Sequence, residues 1–225
     1  MKREAILWWG VGKTALAGMT HAVASLRQYG RERVPRDGGA VLAVNHAHWI
    51  DIPVVGALCP RRIVYLAKME AHEIPVLGQF IRAMGTLAVR RGESDREAVR
   101  LAREAVRQNE LLGMFVEGTR QKTGEPGEAK PGAAMVAIQE GVPVLPAAIY
   151  GSHAWKLGSR APISVAWGEP MRFAEYARNS KGYREATAEI ETEIRRLWEF
   201  LAEMHRLGRP RGMPPTRASV PTKSE

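Results

Sequence analysis

Apolar residues recur along this chain in two rhythms. Trp9, Gly12, Leu16, Met19, Val23 and Leu26 step by three and four, the spacing of one helical face, and predict an amphipathic helical segment over residues 1–30. A polar break from Arg31 to Gly39 follows. Ala40-Val41-Leu42-Ala43-Val44 is then short and continuously apolar, the pattern of a strand buried on both faces. Similar runs lie at Ile63 to Ala67, Thr86 to Val89, Leu111 to Val116, Val144 to Ile149 and Ile163 to Trp167. Helical patterns separate several of them. Asp51 before Ile52-Pro53 predicts an N-cap, with proline in the first turn of a helix that stops near Cys59-Pro60. Ser94-Asp95-Arg96-Glu97 predicts a capping box ahead of the apolar face Ala98, Leu101, Ala102 and Ala105. Lys130 to Gln139 predicts a further helix, punctuated by Gly141. Strands alternating with helices at this interval give an α/β fold, a mostly parallel sheet flanked by helices. Toward the C-terminus Ile190, Ile194, Leu197, Leu201 and Met204 stripe a charged helix that closes the domain on its core.

Composition narrows the partners. A chain of 225 residues, 45% hydrophobic and 25% charged, buries a full core in one domain. The single cysteine, Cys59, excludes a disulfide framework and a thiolate metal cage, and fits a reducing compartment. A net charge of +9 points to an anionic neighbour, either nucleic acid or phospholipid head groups. No window holds about 18 uninterrupted apolar residues, so a spanning helix is not expected. The N-terminus lacks the pattern of a cleaved signal. Lys2, Arg3 and Lys13 with Trp8 and Trp9 suit the headgroup region of a bilayer, which makes residues 1–30 a membrane-associating segment; the plainer reading packs the same face on the core. The Arg61-Arg62 pair adds charge for such a surface. Residues 31–207 then form the α/β domain, and the proline-rich, apolar-poor residues 208–225 a disordered tail. No nucleic-acid motif is present, and no GxSxG nucleophile elbow.

The candidate chemistry concentrates in VNHAHWIDIP, residues 44–53, which holds two of the six histidines. His46 and Asp51 would stand about 16 Å apart on an extended chain and roughly 140° apart on a helix. They meet only on a turn. A strand end turning tightly into a helix supplies one, letting the carboxylate orient one imidazole nitrogen while the other faces a cleft as a general base. The blander reading makes Asp51 a helix cap and His46 a backbone partner. A second strand end, Phe115-Val116-Glu117-Gly118-Thr119-Arg120, breaks at a glycine, and ligands of open α/β sheets bind at such carboxyl ends. Thr119, Arg120 and backbone N–H groups near Gly118 suit a phosphate, and the helix start at Lys130-Pro131-Gly132 favours anions further. Arg120 paired with Glu117 would instead only stiffen the loop. His48 is open between a second base, an acceptor contact and a packing role, of which packing is preferred. His46, His48 and Asp51 lack a further ligand at short spacing, so no metal is expected.

These residues carry a resemblance. Asn45-His46 with Asp51 resembles the NHxxxxD signature of the glycerophospholipid acyltransferases, the superfamily that includes the 1-acylglycerol-3-phosphate acyltransferases. Glu117-Gly118-Thr119-Arg120, about seventy residues on, is similar to its EGTR block. Gly85 to Arg91 resembles its GxxFxxR block, and Val142-Pro143-Val144-Leu145-Pro146 its fourth block. Lys68, Glu70, Pro75 and Gly78 fit the intervening pattern, while His48, Ala88 and Val116 depart from it near the acceptor pocket. The resemblance implies that His46, oriented by Asp51, deprotonates a lipid hydroxyl that attacks the thioester of acyl-CoA or acyl carrier protein, without a covalent acyl-enzyme, cofactor or metal. It implies that Lys68, Arg91, Glu117, Gly118, Thr119 and Arg120 hold the acceptor, 1-acylglycerol-3-phosphate or a similar lysophospholipid. The partners are then the acyl donor, the lysophospholipid and a membrane phospholipid surface rather than nucleic acid, and the location the cytoplasmic face of the membrane, peripheral or monotopic. The alternatives are another hydroxyl lipid acceptor, or a non-enzymatic basic protein that binds lipid or nucleic acid.

Overall fold

The structure, a computed structural model, describes residues 3–68, 86–89 and 95–217. In chain order the elements are helix α1 (Arg3–Val23), strands β1 (Ser25–Tyr29) and β2 (Ala40–Val44), helix α2 (Asp51–Leu58), and strands β3 (Ile63–Lys68) and β4 (Leu87–Val89). Helix α3 (Asp95–Arg107), β5 (Leu111–Phe115), α4 (Gly132–Glu140), β6 (Val144–Tyr150), β7 (Pro162–Trp167) and α5 (Ser180–Arg206) complete them. Among the described residues seven strands form one sheet in the order β1-β7-β6-β2-β5-β3-β4. Every neighbouring pair is parallel except β6 with β7. The α/β architecture with a mostly parallel sheet is thus the one the alternating pattern predicts.

The continuous apolar run of β2 reflects its central place. Strand side chains alternate between faces, and all five of its residues are buried. Leu42 and Val44 enter the cluster that holds Val54, Val55 and Leu58 of α2, whereas Val41 and Ala43 face Ala102 and Val106 of α3 and Ala134 and Ala137 of α4. The predicted stripe of α5 covers the same side: Ile190, Ile194, Leu197 and Leu201 are all buried. Asn179 starts that helix, its side chain accepting from the N–H groups of Lys181 and Gly182. Helix α4 ends at Gly141 as expected. Ser94, the predicted capping residue of α3, lies outside the described residues.

Two sequence expectations are corrected. Helix α1 stops at Val23, and Leu26, taken as its last apolar position, belongs to β1. The stretch Ser25–Tyr29 hides this because it is a half-exposed margin strand whose apolar positions continue the helical step, while its ladder to β7 is set 137 residues away, from Ser25 opposite Pro162. Asp51 does not cap α2 either: Ile50 takes the N-cap position without a side-chain bond. Arg61 is engaged within the fold, donating to the carbonyls of Pro35, Asp37, Gly38 and Asn109. Residues 208–217, part of the expected tail, run back along the domain. Arg209 donates to the Ser25 carbonyl and hydroxyl at 2.6 Å each, Arg33 donates to the Pro214 carbonyl at 2.8 Å, and Pro214 is buried.

Candidate active site

Strands β2 and β5 are adjacent and parallel, with Val44 opposite Phe115, so both chains leave the sheet at the same end. The His46 turn and the Glu117 loop therefore start side by side. Asn45 makes the exit from β2 rigid: buried, it donates Nδ2 to the Ile149 carbonyl at 3.0 Å and accepts the Ile149 N–H at 2.8 Å. Its side chain thus replaces a rung of the ladder to β6 after the main chain has turned away.

Within the next six residues the chain folds back on Asp51. A single carboxylate oxygen, Oδ2, accepts from His46 Nδ1 at 2.8 Å, from the Ala47 N–H at 2.7 Å and from the His48 N–H at 2.8 Å. Asp51 is fully buried, and its other oxygen has no hydrogen-bond partner among the described residues. The carboxylate therefore caps the preceding turn rather than its own helix. Three donors thus converge on one oxygen and fix the carboxylate in place. His46 keeps 13% of its side chain exposed, and its ring lies on that of Phe115, with centroids 4.0 Å apart and planes 26° apart. Tyr65 stacks with Phe115 in turn, the ring centroids 5.8 Å apart. With Nδ1 bonded to Asp51 and one face against Phe115, the imidazole offers Nε2 to a partner.

The main chain of His46 is held from the neighbouring loop at both of its polar groups. Its N–H donates to Glu117 Oε2 at 2.8 Å, and its carbonyl accepts the Gln121 N–H at 2.7 Å. Glu117 Oε1 accepts the Gly127 N–H at 3.2 Å. Glu117 is buried, and that burial pushes its carboxyl up to about 7, against the backbone donors and with help from the charge of Asp51. Expected to contact the acceptor, this side chain is instead turned inward and joins three stretches of main chain.

Gly118, Thr119 and Arg120 are exposed. Gly118 takes φ 69°, a backbone shape that favours glycine, and the exposed Lys130 ammonium lies 3.1 Å from where a Cβ would stand. Lys130 is exposed and follows directly on the loop, its N–H donating to the Val116 carbonyl at 2.8 Å. Sequence reasoning named the helix start here but not this ammonium. His48 is half-buried; burial first, and then the charges of Arg120 and His46, hold it below the usual imidazole range against the pull of Asp51. Its ring sits 5.5 Å from that of Trp49 and 5.6 Å from that of Trp155. Lys68 ends β3, but its side chain lies outside the described set, as does Arg91 entirely. Among the described residues no group of three or more His, Cys, Asp or Glu is placed to hold a metal. Asn45, quoted only as part of the NHxxxxD signature, and Phe115 receive no role from the sequence; their place beside His46 and Glu117 at apolar strand ends is a further signal that marks them.

The model of the acyltransferase family matches residues 25–150, more than half of the chain, and the chain belongs to that family. A 1-acyl-sn-glycerol-3-phosphate acyltransferase of Bacillus subtilis is 29% identical over 154 residues, covering 68% of this chain and 76% of that protein. A lyso-ornithine lipid O-acyltransferase of Pseudomonas aeruginosa is 40% identical over 108 residues, covering 47% of this chain and 40% of that protein. The crystal structure of the 1-acyl-sn-glycerophosphate (LPA) acyltransferase PlsC from Thermotoga maritima shares the fold, with a TM-score of 0.72 at 22% identity over 90% of this chain and 84% of that one.

Proposed function

We propose that the protein moves a fatty acyl group from acyl-CoA or acyl carrier protein to the hydroxyl of a lysophospholipid, 1-acylglycerol-3-phosphate before others. The observation that carries this reading is the 2.8 Å contact between His46 Nδ1 and buried Asp51, set beside the exposed Thr119 and Arg120. His46 Nε2 takes the proton of the acceptor hydroxyl as its oxygen attacks the thioester carbonyl. The tetrahedral intermediate collapses, an ester forms, and the departing thiolate recovers the proton from the imidazolium. Asp51 stabilises that imidazolium and fixes its tautomer. General-base action contributes ~10²- to 10⁴-fold, so the remainder comes from positioning both substrates. Arg120 and Thr119 hold the acceptor phosphate, aided by Lys68 and Arg91, while Glu117 sets the register of the two loops. The proposed step uses no cofactor.

The acceptor lives in a bilayer, and the enzyme works at its cytoplasmic surface, held by α1 and the net charge of +9. Among the described residues no helix is long and apolar enough to cross a membrane. A chain lacking residues 1–23 retains every residue of the sheet, which begins at Ser25, and, where circular dichroism shows it folded, is expected to sediment less with anionic vesicles. The 40% identity with the Pseudomonas enzyme supports a lyso-ornithine lipid as the second acceptor reading. One assay decides: purified protein with each donor and a panel of lysolipids differing in head group, comparing wild type with His46→Ala. Transfer is expected to be fastest to 1-acylglycerol-3-phosphate and lost in the folded variant. Equal turnover in the variant removes His46 from the reaction.

A further inference from the structure

The loop joining β6 to β7 leaves the sheet at the same end as His46, because β6 runs parallel to β2. Its base is anchored. Trp155 is buried, donates Nε1 to the Val23 carbonyl at 3.0 Å, and meets the ring of Trp49 edge-on at 5.3 Å. Its tip is a tight turn in which the Ser159 N–H donates to the Lys156 carbonyl at 3.0 Å and Gly158 supplies a φ of 85°. That φ at the third turn position is one glycine takes without strain. The turn sets Leu157 at the apex with 83% of its surface exposed, between exposed Lys156 and Arg160. Trp49, 53% exposed, adds apolar surface at the foot of the loop, where its ring meets those of Trp155 and His48.

A built turn that holds leucine in solvent gains nothing for the fold from that side chain. Placed against a bilayer, the same arrangement has a use. An apolar apex enters the boundary between head groups and acyl chains, two cations beside it meet lipid phosphates, and an exposed tryptophan lies at the headgroup level. We infer that residues 156–160 are a lipid-docking element that seats the His46 end of the sheet on an anionic bilayer. Leu157 enters the apolar layer and Lys156 and Arg160 pair with phosphates. The inference rests on the acceptor being a bilayer lipid. It adds to α1 a second point of attachment beside the reacting groups, and so fixes which way they face.

The test uses the full chain, Leu157→Asp, and the double variant Lys156→Glu/Arg160→Glu. Each is sedimented with phosphatidylcholine vesicles and with phosphatidylcholine vesicles containing phosphatidylglycerol. Transfer to a dispersed, short-chain lysolipid below its micellar concentration is measured in parallel. Leu157→Asp is expected to partition at least about tenfold less onto both vesicle types. The double variant is expected to lose roughly fivefold per charge, on the anionic vesicles alone. Both should turn over the dispersed acceptor at the wild-type rate. Wild-type partitioning by Leu157→Asp overturns the inference, whatever the transfer assay gives. So does a folded Leu157→Asp that loses turnover of the dispersed acceptor, because the apex would then belong to the substrate site. Vesicle binding that depends on Leu157 in a protein transferring no acyl group would uphold the docking element and reject the proposed function.

Discussion

Replacing Glu117 by glutamine separates the tie between the two loops from the charge that makes it. The carboxyl of Glu117 is pushed up to about 7 from an ordinary value of 4.5, chiefly by burial. Between those values the folded protein holds a proton that the unfolded chain releases, so stability falls as pH rises through that window. Below 4.5 both states are protonated and above 7 both are ionised, and the contribution is flat on either side. Integrated across the window, the linkage amounts to about 3 kcal/mol. Glutamine keeps the shape but turns an amide N–H₂ toward one of the two backbone donors, His46 N–H or Gly127 N–H, which now take both carboxylate oxygens. That conflict costs about 1–3 kcal/mol at every pH. Urea denaturation of wild type and Glu117→Gln from pH 4 to 8 reads both effects. Wild type is expected to be the more stable at pH 4 to 5, with the gap closing or reversing above pH 7. Parallel profiles would mean that Glu117 titrates alike in the folded and the unfolded chain, and the account of its burial would fall.

Asp51→Asn keeps an oxygen for the Ala47 and His48 donors but removes the charge that steadies the imidazolium; kcat is expected to fall ~10²- to 10⁴-fold, with circular dichroism unchanged, and near-wild-type turnover rejects Asp51 as the orienting acid. Asn45→Ala leaves both main-chain groups of Ile149 unpaired in a buried site and is expected to lose roughly 2–4 kcal/mol by urea denaturation; a loss within experimental error would mean that water replaces the amide. Phe115→Leu conserves bulk but not the flat face under His46. Turnover should drop about tenfold through lost orientation while stability changes by less than about 1.5 kcal/mol, and full activity would show that Asp51 alone aligns the ring.

Different parts of the molecule were legible in the sequence for different reasons. The run AVLAV reads as a central strand because burial on both faces leaves no polar position to confuse it, and the stripe on α5 reads as a helix because four of its positions bury against one surface. By contrast SLRQY at the sheet margin carries polar residues on its open side, and its apolar positions fall in step with the helix before it. Only the ladder to β7, far along the chain, makes it a strand. At the site, the separation of His46 and Asp51 required a turn, and the turn is there. The direction of the carboxylate was not legible, since an aspartate at a helix start serves its own helix or the chain before it with the same composition. Glu117 shows the same limit. Its neighbours in EGTR suggest a charged loop open to a ligand, but main-chain donors of His46 and Gly127, 71 residues before it and 10 after it, draw it inside.

The segment after α5 bears on the open margin of the sheet. Strand β1 is a terminal member of the sheet, and an unguarded strand of that kind invites pairing with another copy. Arg27 stands exposed on it, and Arg209 occupies the Ser25 carbonyl. A chain cut short at Leu207 would retain every group assigned to the reaction, yet would uncover that margin and favour self-association over solubility.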